Sequence, residues 1–391
     1  MNRLKYGIDC LIENPPFYLK GSRLGLVTNH TGVTSDFTST IDALDDSPHY
    51  ELTSLFACEH GIRGDLAAGA LVESSVDEKT MLPIYSLYNK SKKISFEMLE
   101  QVDIVLFDIQ DVGVRYYTYL ATLKNVIEAC ELQHKKVVVL DRPNPIASKI
   151  DGNILQTPFT SFVGPTEMPI CTGLTIGEYA NFLKGEMYKS ADVEVIPLEG
   201  WKRDTWYDDL NKPWIPPSPN IPQVLTTIAY PITCYLEGTN LSEGRGTTKP
   251  FEWFGAPWLK NEETIQHLRN KNLDGVEWLP VYFTPSSSKH EGVLCSGIQL
   301  LILDRNRIKM IEIGYEILHS LFEVNTNDFN WLAPFKEGMP PFIDLLWGTN
   351  RVRKAIQHGH RFSFFEKGWT DECRKWRKKI SPYKIYEKEN F

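Results

Sequence analysis

The sequence predicts an α/β fold: a Rossmann-like, doubly wound parallel sheet within residues 1–222, its core starting near Gly21, then a smaller α+β domain over 223–391. Three observations carry this reading. VDIVLFDI at 102–109 and KVVVL at 136–140 are continuous apolar runs with β-branched residues, the pattern of strands buried on both faces. Between them, residues 115–134 place apolar or aromatic side chains at 116, 120, 123, 127 and 130, the spacing of an amphipathic helix. Alternation of strand and helix implies βαβ units and a parallel sheet. NKPWIPPSPNIP at 211–222 then holds five prolines, which have no N–H to give a sheet, and marks the domain boundary.

Taken in order, RLGLVTN at 23–29 reads as the first strand and 36–44 as a weak helix. Residues 51–57 form the next strand, and 77–88, with Pro83 and several aromatics, reads as irregular structure lining a cleft. The helix at 115–134 precedes the strand at 136–140, and Thr175-Ile-Gly-Glu178 is a capping box opening a helix to about Lys184. A strand follows at 193–198. In the second half the expectations are a strand at 224–236, helices near 261–271, 308–322 and 342–357, and a strand at 297–303. The basic run Arg374, Lys375, Arg377, Lys378 and Lys379 reads as a solvated helix face.

Bulk properties exclude several classes. At 391 residues the chain exceeds the size at which one core stops growing, and 42% hydrophobic with 24% charged residues is an ordinary globular composition. A net charge of −8 argues against a general nucleic-acid or anionic-membrane binder. Ten Trp, 17 Tyr and 19 Phe suit carbohydrate stacking and core packing equally. Seven scattered cysteines without a CxxC argue against a disulfide framework or thiolate zinc site. With no apolar segment at the N-terminus and no long apolar run, the expectation is a cytoplasmic protein without membrane insertion.

The chemistry concentrates just past strand ends. LFACEHGIRGD at 55–65 breaks from a buried strand into Glu59, His60, Arg63 and Asp65, with two glycines freeing the turn. Asn29, then Asp108, Gln110 and Asp111, then Asp141 and Asn144 follow three other strands. In a parallel sheet such ends lie side by side and line one crevice. Each residue alone is equally a turn former or helix cap; four clusters in register point to a site centred on Glu59. No GxGxxG, P-loop, HExxH or GxSxG is present, so no nucleotide, metal or other cofactor is expected. What remains is carboxylates, amides and arginines, the equipment for acid/base hydrolysis of a glycosidic bond. The loop 237–248 (EGTNLSEGRGTT) adds Glu237, Asn240, Glu243 and Arg245 among three glycines. A structural ion-pair network among Asp108, Asp111, Arg115 and Arg142 is the competing reading.

LFACEHGIRGD, LFDIQDVGVRYYTYLATL, VVLDRPNPI, PPSPN and LEGTNLSEGRGTTKPFEWFGAPW, in that order, resemble the NamZ family of exo-β-N-acetylmuramidases, formerly a domain of unknown function. The resemblance runs from about Gly21 to the C-terminus. It implies a Rossmann-like domain and a smaller one with the active site in the cleft between them, and release of non-reducing terminal N-acetylmuramic acid (MurNAc) from peptidoglycan fragments in cell-wall turnover and salvage. The family's EHG glutamate falls on Glu59, with His60 its neighbour. Three departures stand out: Cys58 where proline commonly precedes the glutamate, Tyr116 in an arginine-aromatic motif that commonly has phenylalanine, and Ala147-Ser148 where Gly-Gly often follows DRPNPI. Many relatives are exported, so a cytoplasmic member would act on imported fragments.

Together these readings make Glu59 the general acid, with Glu237, Glu243 and Asp108 as candidates for a second carboxylate, unless the substrate's own acetamido group attacks. Arg63, Arg115 or Arg245 would pair with the lactyl carboxylate, and Tyr116, Tyr117 and Tyr119 would stack on the sugar. Asn29, Asp65, Gln110, Asp111, Asp141, Asn144, Asn220 and Asn240 complete the expected ligands of a MurNAc–GlcNAc disaccharide or muropeptide. A muropeptide-binding module without turnover is the alternative, and a nucleotide-sugar transferase is disfavoured by the missing phosphate loop.

Overall fold

A strand buried on both faces needs apolar side chains at successive positions, and that is how the first-domain runs are used. In the computed structural model, which describes residues 4–59, 61–63, 75–87 and 93–386, the strands are β1 (Arg23–Thr28), β2 (Glu51–Ala57), β3 (Ser75–Val76), β4 (Pro83–Ser86), β5 (Ile104–Asp108), β6 (Lys136–Leu140), a short antiparallel pair β7 (Ile150–Asp151) and β8 (Cys171–Thr172), and β9 (Val193–Ile196). The seven-stranded sheet has the order β3-β4-β2-β1-β5-β6-β9, parallel throughout except for β3 against β4. Val27, Phe56, Val105, Phe107, Val137 and Val139 feed a hydrophobic cluster on one face; Leu24, Leu26, Leu55, Leu106, Val138 and Leu140 feed a second on the other.

Helices α1 (Gly7–Glu13) and α2 (Thr40–Asp45) cover the second face, and α3 (Tyr119–Leu132) and α4 (Ile176–Glu186) the first. The capping box at α4 is present: Thr175 Oγ1 accepts from the Glu178 N–H at 3.1 Å, and Glu178 Oε2 accepts from the Thr175 N–H at 3.1 Å. The second domain contains α5 (Val224–Thr233), an antiparallel sheet of β10 (Trp253–Ala256), β11 (Val276–Phe283) and β12 (Cys295–Ile302) in the order β10-β12-β11, then α6 (Asn261–Arg269), α7 (Met310–Val324), α8 (Phe342–Trp347), α9 (Arg351–Gln357) and α10 (Ser363–Ile380). The first hydrophobic cluster continues through α5, α7 and α10, so one apolar core underlies both domains.

Four expectations need correction. Residues 224–233 are helix and 234–238 a 3₁₀ turn, not a strand. Every α5 residue from Thr226 to Thr233 is buried, so no polar face exposes the helical period, and β-branched residues mimic a strand. The expected helix at 342–357 is two, broken where Gly348 takes φ +67°. The 77–88 stretch contains β4, which pairs with β2 and begins at Pro83, where a missing N–H is tolerated. The helix expected from 115 starts at Tyr119, because the Arg115 N–H is bonded to the Ile170 carbonyl at 2.7 Å.

Candidate active site

Register brings the chemistry to one edge of the large sheet. Thr28 pairs with both Ala57 and Asp108, so the chain leaves β1, β2 and β5 side by side at Asn29, Cys58 and Ile109. After β2 the chain turns through Gly61, whose φ of +77° is costly for a side-chain-bearing residue, and the Gly61 N–H donates to the Cys58 carbonyl at 3.2 Å. The turn holds Glu59 partly buried. Thr118, just ahead of α3, donates its hydroxyl to Glu59 Oε2 at 2.8 Å, giving the carboxylate a fixed orientation. Behind it the Cys58 thiol is buried, and burial pushes its pKa up, so it is inert as a nucleophile.

An aromatic bridge crosses from this edge to the second domain. The Tyr117 ring stands edge-on to Tyr230 of α5 at 5.9 Å, Tyr230 to Phe251 at 4.8 Å, and the Arg245 guanidinium lies over Phe251 at 5.1 Å. Arg245 donates through Nε and Nη2 to Glu237 Oε1 at 3.0 and 2.5 Å, and its Nε lies 3.2 Å from Glu243. Lys289 sits 2.9 Å from the other Glu243 oxygen and donates to the Leu236 and Thr239 carbonyls at 2.7 and 3.0 Å. Two carboxylates and two cations balance. Burial pushes the Glu237 pKa up, the Arg245 charge pulls it back, and the two glutamates hold Arg245 firmly protonated.

Other carboxyls at the sheet edge are structural in their bonding. Asp108, fully buried, accepts from Arg142 Nε at 2.5 Å and Nη2 at 2.9 Å and from the Thr40 hydroxyl at 2.5 Å. Asp141 accepts from Thr175 Oγ1 at 2.7 Å and the Gly177 N–H at 2.8 Å, and burial raises its pKa to about 6. Asp111 differs. Its Oδ2 accepts from the Gly113 N–H at 2.7 Å, while buried Oδ1 has no partner among the described residues. Desolvation raises its pKa to about 7, so at neutral pH this carboxyl is substantially protonated.

Comparison with known proteins bears on this arrangement. The family description "Exo-beta-N-acetylmuramidase NamZ, N-terminal" matches residues 24–225, and its C-terminal counterpart matches 228–386. The chain belongs to the NamZ family. It is 41% identical over 385 residues to the peptidoglycan beta-N-acetylmuramidase NamZ of Bacillus subtilis, covering 98% of this chain and 92% of that protein. Two crystal structures of DUF1343 family proteins from Bacteroides fragilis each cover 99% of this chain and are themselves covered in full: one at TM-score 0.90 and 34% identity, the other at 0.80 and 32%.

For this NamZ-family chain the structure gathers Glu237, Glu243 and Arg245 into one charged cluster that the rings of Phe251 and Tyr230 link to Tyr117, and Thr118, next in the chain, holds Glu59. Asn29 serves it indirectly, donating to Tyr119 Oη at 2.8 Å, and that hydroxyl donates to the Pro217 carbonyl at 2.8 Å. Gln110 bonds the Asp111 and Pro143 carbonyls, and Asn144 the Leu174 carbonyl, so both amides tie loops together. Asn240 is committed to Asp328 and Asn330. Tyr116 is buried among Tyr230 and Tyr235, away from a stacking role. Arg115 is wholly buried, donating to the Asn153, Met168 and Leu346 carbonyls, and burial lowers its pKa to about 10. That removes it as a ligand for a substrate carboxylate. Arg63 clamps Asp77 with two bonds of 3.0 and 2.9 Å. His60 and Asp65 lie outside the described residues.

Sequence reasoning missed Thr118, Tyr230 and Lys289. Thr118 sat in a segment assigned to helix and Tyr230 in one assigned to strand, while Lys289 lies in a serine-rich loop with no motif to mark it. Among the described residues no group of three or more His, Cys, Asp or Glu side chains is placed to hold a metal ion.

Proposed function

We propose that the protein is an exo-β-N-acetylmuramidase, hydrolysing the bond that follows a non-reducing terminal MurNAc in peptidoglycan fragments. Membership of the NamZ family over nearly the whole chain carries the reading, and the site's chemistry agrees with it. Glu59 is the general acid: oriented by Thr118 and still partly accessible, it protonates the leaving oxygen. Arg245, at the junction of the domains, is the cation placed to meet the lactyl carboxylate, since Arg115 is sequestered. The Glu237–Glu243 pair orients Arg245 by bonding its Nε and Nη2, and the sugar's 2-acetamido group is an alternative internal nucleophile.

The same reading divides the chain at 222/223, with the active site in the cleft between the parts. No helix of the described residues is long and apolar enough to cross a membrane. The seven cysteines are all free thiols, which favours a reducing compartment and so cytoplasmic action on imported disaccharides or muropeptides. The test is incubation with a MurNAc–GlcNAc disaccharide. Wild-type protein releases free MurNAc, and Glu59→Gln lowers kcat by about 10³-fold or more while still binding the disaccharide. No MurNAc from the wild-type protein refutes the proposal; release by Glu59→Gln at the wild-type rate removes Glu59 from its role.

A further inference from the structure

Beside the Glu237–Arg245 network lies a pocket of about 730 Å³, lined by Asn220 of the first part of the chain and by Thr247, Thr248, Trp253, Tyr282 and Phe283 of the second, among others. Its size is that of small-molecule sites, roughly 300–1,000 Å³. Two stretches of chain tie it to the sheet edge and to the Arg245 network. Asn220 lies in the proline-rich loop whose Pro216 and Pro217 carbonyls bond His30 and Tyr119 at 2.6 and 2.8 Å at the sheet edge. Gly246 and Thr247 directly follow Arg245.

The pocket floor is a built feature. Ser286 donates its N–H and its hydroxyl to the Gly246 carbonyl, each at 2.9 Å. Gly246 has φ +74°, and a Cβ there would meet the Ser287 nitrogen at 2.5 Å, so only glycine lets the two loops meet.

The lining specifies the ligand's chemistry. Among the described residues no charged side chain lines the pocket; its walls are aromatic rings, hydroxyls and one amide. Trp253 and Phe283 pack at 5.9 Å, and Tyr282 is 64% exposed at the rim. The Asn220 amide and the Thr248 hydroxyl have no protein partner among the described residues. Aromatic faces beside unspent neutral polar groups suit a pyranose: its C–H face packs on a ring while its hydroxyl and acetamido groups bond the rim. The absence of a lining cation makes the pocket a poor match for muramic acid, which carries a carboxylate, and a good match for the neutral sugar on the other side of the bond.

We infer that this pocket is the leaving-group subsite, holding the neutral N-acetylhexosamine joined to MurNAc, with Tyr282 as its stacking platform and Asn220 as its hydrogen-bonding group. The inference rests on the muramidase reading and assigns that site its second sugar. Tyr282→Ala and Asn220→Ala should each raise KM for a MurNAc–GlcNAc disaccharide about three- to tenfold, the scale of one lost stacking or polar contact. A β-muramyl fluoride, whose leaving group is a single atom, leaves the subsite empty, so its kcat/KM should stay within about twofold of wild type in both variants. Equal losses on both substrates, or unchanged KM for the disaccharide, overturn the inference. Wild-type inactivity on both substrates instead refutes the muramidase reading, and the subsite falls with it.

Discussion

At Ala147 and Ser148 the backbone adopts φ of +50° and +48°, left-handed values that disfavour side-chain-bearing residues. These two positions replace the Gly-Gly that often follows DRPNPI in the family, so a departure visible in the sequence becomes a local strain in the fold. For an L-residue the left-handed region costs about 1–2 kcal/mol, and glycine returns about 0.4–1 kcal/mol of that through the freedom of its unfolded chain. Ala147→Gly should therefore stabilise the protein by about 0.5–1 kcal/mol, read as a higher urea midpoint. A lower midpoint would mean that the Ala147 methyl, which packs on the main core, outweighs the strain. At this scale the sequence is a partial guide. That Glu59 stands at a sheet edge is legible, because a buried apolar run breaks off just before it and Gly61 follows with a turn. Tyr230 and Lys289 are not, because their meaning lies in neighbours the chain order does not show.

Among elements, the adjacency of β1, β2, β5 and β6 was readable, since runs buried on both faces must stand inside a parallel sheet. What each strand end does was not. Asp108 had the composition of a catalytic group, yet it locks β5 to Arg142 and to Thr40 at the start of α2. Arg142 is only 3% exposed, so neutralising its partner leaves a buried, uncompensated cation. Asp108→Asn should destabilise the protein by about 3–5 kcal/mol, with kcat preserved in whatever fraction remains folded. Urea unfolding with active-site titration checks both halves. A variant of native stability with a collapsed kcat would return Asp108 to the chemistry. Helix α5 gives the opposite lesson: a segment buried all round erases its own period, and only tertiary packing separates helix from strand.

Across the whole molecule the chain closes on itself, which no local pattern announces. The helix α10 returns to the first domain, where Trp376 donates to the Thr172 carbonyl at 2.8 Å and Glu372 accepts from the Ile154 N–H at 2.8 Å. Beyond it, Tyr386 accepts from the Leu198 N–H at 2.9 Å, packs edge-on to Trp201 at 4.9 Å, and donates its hydroxyl to Asp141. Asp141 in turn anchors the first turn of α4. The folded pKa of Asp141, about 6, lies above the usual carboxylate value, so the folded state binds the extra proton. This group therefore erodes stability as pH rises from about 4 through 6, and the Tyr386 bond limits the loss by stabilising the ionised form. Tyr386→Phe pushes the folded pKa higher still, so the erosion continues further up the pH scale. The variant should be about 1.5–3 kcal/mol less stable than wild type at pH 8 and closer to wild type at pH 4.5, because a bond to a carboxylate is stronger than one to a neutral acid. Urea unfolding of both proteins at the two pH values reads this directly. A deficit independent of pH would assign Tyr386 to packing against Trp201 alone, and a deficit larger at pH 4.5 would reverse the sign of the coupling.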